Sequence, residues 1–94
     1  DKPVVFGAAI SQEFANDYSG TERVWGIPSS TIGRHAMVLT GVRRLSNGKR
    51  EFLLRNSWGF TWGFNGRNWI SEDYLASDLV SDLWVPTLIP KLLV

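Results

Sequence analysis

Ninety-four residues make one small domain, or part of one, with room for only a modest core. Ten Lys and Arg against nine Asp and Glu leave a formal net charge of +1, too little basic excess to attract nucleic acid. The chain has no cysteine and a single histidine, which excludes disulfides and thiolate metal sites and leaves no donor set for tetrahedral zinc, so neither metal nor cofactor is expected.

No apolar run reaches the roughly 18 residues needed to cross a bilayer, so no membrane partner is expected. The first residue is Asp1 and no leader pattern follows it, so the chain is expected to be a processed or excised piece. Nothing in the residues indicates a cellular compartment. Five Trp, five Phe and two Tyr give a small domain much area to bury per residue.

Lys2 to Ile10, opened by Pro3, is a β-branched and aromatic run and predicts a buried strand. Ser11 to Tyr18 predicts one helical turn capped by Ser11. Ser19 to Ser30 is broken by Gly20, Gly26 and Pro28 and reads as loop, with Trp25 as its anchor. Gly33 to Val42 and Glu51 to Trp58 predict two strands joined through Ser46-Asn47-Gly48-Lys49 as a β-hairpin. Gly59 to Gly66 predicts an irregular loop, Arg67 to Ser71 a short strand, Ser71 to Tyr74 a helix start, and Leu79 to Val85 a last strand. Pro86 and Pro90 bar a regular helix or central strand from the tail.

The hairpin poses a problem of register. A two-residue Asn47-Gly48 turn pairs Leu39 with Asn56 and leaves His35 four residues along the strand, about 13 Å away on the same face. A hydrogen bond between the two needs about 3 Å. A wider turn, or a bulge, is therefore expected; a loop over Arg44 to Asn47 would place His35 directly opposite Asn56.

His35 is the one side chain whose ordinary pKa lies near neutrality. Taken singly, it reads as a structural histidine at a strand start, Asn56 as a cap, and Trp58 and Trp62 as core packing. Their joint pattern reads otherwise. Gly33-Arg34-His35-Ala36 is followed by Asn56-Ser57-Trp58-Gly59-Phe60-Thr61-Trp62-Gly63-Phe64-Asn65-Gly66. This resembles the C-terminal, right-hand half of the papain-like (C1) cysteine peptidases, with their G-x-H-A strand and N-S-W-G-x-x-W-G-x-x-G segment. Pro3 to Gly7 with Phe14 is similar to the family's strand-then-aromatic segment. Asp73-Tyr74-Leu75 and Asp82-Leu83-Trp84 are similar to its bacterial-type branch.

The resemblance covers residues 1 to about 86 and leaves 87–94 as a tail. It implies a mainly β domain, a twisted antiparallel sheet or half-barrel with short helical turns, within an α+β family. It also implies that His35 is general base and later acid, that Asn56 orients it, that Trp58 and Trp62 shield the pair, and that Gly7 and Ala36 line the pocket for the substrate side chain two residues before the scissile bond. The family's nucleophilic cysteine lies about 130 to 150 residues before its histidine and asparagine. His35 stands too early for it, and the oxyanion-hole glutamine belongs to the same missing half. Arg34, Arg67 and Asn68 also depart from the family's usual residues.

The expected function is therefore the C-terminal portion of a cysteine endopeptidase acting on peptide or protein substrates. Its partner would be a Cys-bearing N-terminal half, from the same precursor or a separate chain. Alone, this chain is expected to be inactive and prone to self-association. The alternative is a non-catalytic papain-like module that binds a peptide or a protein. A serine hydrolase is disfavoured, because no G-x-S-x-G elbow is present.

Overall fold

A computed structural model describes residues 3–84. The chain runs β1 (Val4–Ile10), α1 (Gln12–Ala15), β2 (Val24–Trp25), β3 (Gly33–Arg44), β4 (Arg50–Arg55), β5 (Arg67–Ser71), α2 (Glu72–Leu75) and β6 (Val80–Trp84). The strands form one curled sheet in the order β2-β5-β4-β3-β1-β6, antiparallel throughout except for the β2–β5 pair. It is a mainly β half-barrel, as the resemblance implies.

Alternation sorts the sheet into two faces. Phe6, Ala8 and Ile10 of β1, Met37 and Leu39 of β3, Leu54 of β4 and Ile70 of β5 point to one side and are buried there. Phe14, Trp62 and Tyr74 come from outside the strands and close over them. Two four-residue helical turns deliver two of these rings. The Ser11 hydroxyl accepts from the Phe14 N–H at 3.1 Å, and the Ser71 hydroxyl accepts from the Tyr74 N–H at 3.1 Å. Each cap satisfies a backbone donor that so short a helix cannot pair internally. Tyr74 then donates its hydroxyl to the Ala9 carbonyl at 2.6 Å, and Trp62 its Nε1–H to the Phe14 carbonyl at 2.7 Å. The polar ends of both rings are thus matched inside the core.

The segment read as loop between Ser19 and Ser30 contains β2, which pairs in parallel with Trp69 and Ile70. Two residues are too few to show a strand period. Trp25 does anchor the segment, edge-on to Phe14 with ring centres 5.4 Å apart. The second hairpin strand ends at Arg55 rather than Trp58; Ser57 and Trp58 already lie in a turn. The tail 87–94 lies outside the described residues.

The hairpin turn is wider than Asn47-Gly48, and a bulge is present as well. Leu45 donates to Lys49 at 2.7 Å and Gly48 to Leu45 at 3.0 Å, leaving Ser46, Asn47 and Gly48 as a three-residue tip. Gly48 takes φ +89°, the left-handed conformation such a tip requires. The pairing then slips once more between Leu39 and Gly41, so that Val38 faces Arg55. Each departure moves the register by one residue.

Candidate active site

Continuing the β3–β4 register sets Asn56 against Met37, so His35 is not directly opposite Asn56 as the longer-loop reading expected. The remaining offset is two residues, about 7 Å along the strand. Two side chains bridge it, since β4 has ended and the Asn56 N–H bonds the Gly66 carbonyl at 3.0 Å. His35 Nε2 lies 2.7 Å from Asn56 Oδ1.

That contact determines the ring's proton. The amide oxygen can only accept, so Nε2 carries the hydrogen and donates it. The neutral imidazole therefore keeps its lone pair at Nδ1, which has no hydrogen bond among the described residues. Asn56 is 4% exposed, while His35 is half-buried. The Asn56 amide nitrogen is also buried and finds no protein acceptor among the described residues.

Trp58 lies on the imidazole, ring centres 4.2 Å apart and planes 19° from parallel. It remains 37% exposed, so it covers one face of His35 and leaves its own outer face open. No ring contact joins Trp62 to His35 among the described residues. Trp62 is fully buried and meets the Trp58 ring at 6.0 Å and 70°, supporting it from below. Gly7 and Ala36 are direct cross-strand partners. Ala8 and His35 form the next pair, so Gly7 and Ala36 occupy the opposite sheet face. Arg34 is exposed, and its guanidinium donates to the Ser81 hydroxyl on β6, away from the imidazole.

A polar clamp that the motifs did not single out steadies the loop carrying Trp58 and Trp62. Asp17 is buried, and its Oδ2 accepts from Asn68 Nδ2 at 3.1 Å. The Asp17 carbonyl accepts from Gly63 at 2.7 Å, and Asn68 Oδ1 accepts from Arg23 N–H at 2.6 Å. The one clue in the sequence is Asn68 itself, a residue unusual at its position in the resembled motif. Among the described residues no group of three or more His, Cys, Asp or Glu is placed to hold a metal ion, and no helix is long and apolar enough to cross a membrane.

No family model matches the chain. An uncharacterized peptidase C1-like protein of Acanthamoeba polyphaga mimivirus is 31% identical over 87 residues, covering 88% of this chain and 27% of that protein. Ananain of Ananas comosus is 34% identical over 65 residues, 69% of this chain and 19% of ananain. Among solved structures, the bromelain protease of Ananas comosus superposes on 92% of this chain and 41% of its own, with a TM-score of 0.66 and 24% identity. Xylellain, a cysteine protease from Xylella fastidiosa, covers 94% of this chain and 33% of its own at a TM-score of 0.63, also with 24% identity.

These relatives and structural neighbours are papain-like C1 cysteine peptidases. The papain-like likeness of the two solved structures is one of fold, extending over nearly all of the chain. The chain spans less than a third of the length of the two curated papain-like relatives.

Proposed function

We propose that this chain is the C-terminal, His- and Asn-bearing portion of a papain-like cysteine endopeptidase, of the bacterial-type branch, with residues 1–86 forming its right-hand domain. The observation that carries the reading is the 2.7 Å bond from His35 Nε2 to Asn56 Oδ1 beneath the Trp58 ring. That bond leaves Nδ1 as the free base. A cysteine thiol from the Cys-bearing half gives its proton to Nδ1, and the resulting thiolate attacks the peptide carbonyl. The imidazolium returns the proton to the departing amine. It then serves again as base for the water that releases the acyl group.

Asn56 holds the ring in one tautomer and orientation through both steps. Trp58 excludes water from one side of the pair, which strengthens the hydrogen bond, and Trp62 holds Trp58 in place. Gly7 and Ala36, side by side on the opposite sheet face, leave room for a bulky apolar substrate side chain. The buried Asn56 amide nitrogen, without an acceptor among the described residues, favours a positioning role, because a residue kept for stability alone would not leave that group unpaired.

The alternative of a non-catalytic binding module loses one of its grounds. Arg34 would oppose an imidazolium by charge if it pointed inward, but its guanidinium is turned onto Ser81.

The test joins this chain to its Cys-bearing half, by co-expression or in one precursor, and applies a thiol-directed active-site probe and a peptide substrate. The expected result is hydrolysis and labelling of one cysteine in the joined protein, neither with this chain alone, and loss of both in His35→Ala. Hydrolysis that survives His35→Ala overturns the proposal. A joined protein that folds but has no cysteine at the nucleophile position establishes the binding-module reading instead.

A further inference from the structure

Most arginines of this chain have a side-chain partner. Arg43 pairs with Glu51 at 2.8 Å and lies over the Trp69 ring, Arg50 pairs with Glu72 at 3.1 Å, and Arg23 lies over Trp25. Arg34 bonds Ser81 and Arg44 bonds the Gly48 carbonyl. Arg55 and Arg67 differ. Neither guanidinium makes a hydrogen bond, ion pair or ring contact with any described residue.

These two arginines are also placed against each other. Arg55 on β4 and Arg67 on β5 are direct cross-strand partners, and both are exposed. The neighbouring pair Leu54–Asn68 points into the core, so the arginines stand together on the outer face. Like charges directly opposite on paired strands are destabilising. Farther along the same face, the sheet opposes Arg43 with Glu51, so this geometry does accommodate a neutralised pair.

The surroundings of the pair are part apolar and part polar. Arg67 lies at the edge of a hollow of about 170 Å³ that Leu53, Phe64 and Trp69 also line. Arg55 lies at the edge of a second, of about 230 Å³, which Phe60 lines together with Asn56, Ser57 and Gly59. Asn65 borders both hollows, and Phe60 and Phe64 are 70% and 45% exposed. Glu22 lines the first hollow but is engaged by the Trp69 indole N–H at 2.9 Å and makes no ion pair.

We propose that the Arg55–Arg67 pair and its two flanking hollows form a docking surface for an acidic, apolar peptide segment of a partner protein. Two guanidinium forks can clamp a carboxylate between them through charge-assisted bonds, cancelling the repulsion that the chain itself leaves uncompensated. Apolar side chains next to that carboxylate fill the hollows beside Phe60 and Phe64. A polyanion such as a nucleic acid fits less well, because Glu22 and Glu51 share this face and the chain's formal charge is only +1.

The second hollow also borders Asn56, but the arginine pair takes no part in the proposed hydrolysis and its test needs no turnover, so its failure would leave the protease proposal standing. The full chain is titrated, by fluorescence anisotropy, into labelled Gly-Ser-Gly-Leu-Glu-Phe-Glu-Gly-Ser-Gly and into its twin with glutamine for both glutamates. The expected result is that the glutamate peptide binds at least about tenfold more tightly than its twin. Arg55→Glu, which sets opposite charges across the strands, should lose that preference while its thermal midpoint holds or rises. Equal binding of the two peptides, or unchanged binding by Arg55→Glu, overturns the proposal. So does tighter binding of a mixed-sequence oligonucleotide. A midpoint that falls by several degrees in Arg55→Glu assigns the arginines to the fold and overturns it as well.

Discussion

Asn56 hydrogen-bonds His35 from a position two residues out of register with it, at 2.7 Å. The contact exists because strand β4 stops at Arg55, which frees Asn56 to turn toward the imidazole as a side chain outside the ladder. The buried amide nitrogen of Asn56 has no acceptor among the described residues, so the role proposed for Asn56 is one of geometry more than stability. Asn56→Leu removes the unmatched donor but adds volume at a buried site and takes the acceptor from His35 Nε2, so the stability should fall by about 1 to 3 kcal/mol. Activity of the joined enzyme should fall by about ten- to a hundredfold, the loss expected from one hydrogen bond to a charged group. Unfolding melts and steady-state kinetics on the same preparation check both halves of this expectation.

Gly63 admits no side chain. Its φ is +61°, and a Cβ there would lie 2.6 Å from the Arg67 carbonyl oxygen. Gly63→Ala must displace the backbone that carries Trp62, at a cost of about 2 kcal/mol or more. A lowered midpoint in chemical denaturation, with a changed Trp emission spectrum, is the expected readout.

Asn68 is 1% exposed and joins Asp17, the Thr21 carbonyl and the Arg23 N–H. Asn68→Ala leaves Asp17 Oδ2 without this donor and Arg23 N–H without its acceptor. Removing one partner of a buried polar pair costs about 1 to 3 kcal/mol. Because the clamp also meets the Trp62 loop at Gly63, the His35–Trp58 stack should loosen. The His35 ring signals in an NMR spectrum of the chain should broaden or shift, while a surface change such as Lys49→Ala leaves them in place.

Tyr74 sets an alkaline limit on stability. Burial holds its phenol above the ordinary value of 10.0. A folded-state pKa raised above the unfolded one gives stability that is fully present below about pH 10 and is lost as pH rises toward the folded value. Ionisation also removes the hydrogen that Tyr74 donates to Ala9. Thermal midpoints should therefore fall on the alkaline side of pH 10, and Tyr74→Phe should flatten that fall. At neutral pH the same substitution costs about 1 kcal/mol for the lost bond.

Much of the architecture was legible in local pattern. The β1 run, the Ser11 and Ser71 caps, the hairpin and β5 each follow from neighbours in sequence: alternation, a capping hydroxyl, turn residues. Strand β2 was not legible, because Val24 and Trp25 become a strand only by lying beside Trp69 and Ile70. The bulge between Leu39 and Gly41 was foreseen only as one of two ways to repair the register, and the structure uses both.

By itself the sequence determined the chemical inventory: one imidazole, no thiol, and the His35 and Asn56-Ser57-Trp58-Gly59 patterns that identify which residues to watch. Those are properties of residue type and spacing, and they do not depend on how the strands pair. Tertiary structure decided which atoms meet. Two one-residue slips and an early strand end brought Nε2 to Oδ1, while other pairings and loop packing turned Arg34 onto β6, buried Trp62 beneath Trp58, and set Arg55 against Arg67. Each of these outcomes depends on register, and register is set by contacts between segments distant in sequence, which a local reading of either segment does not contain.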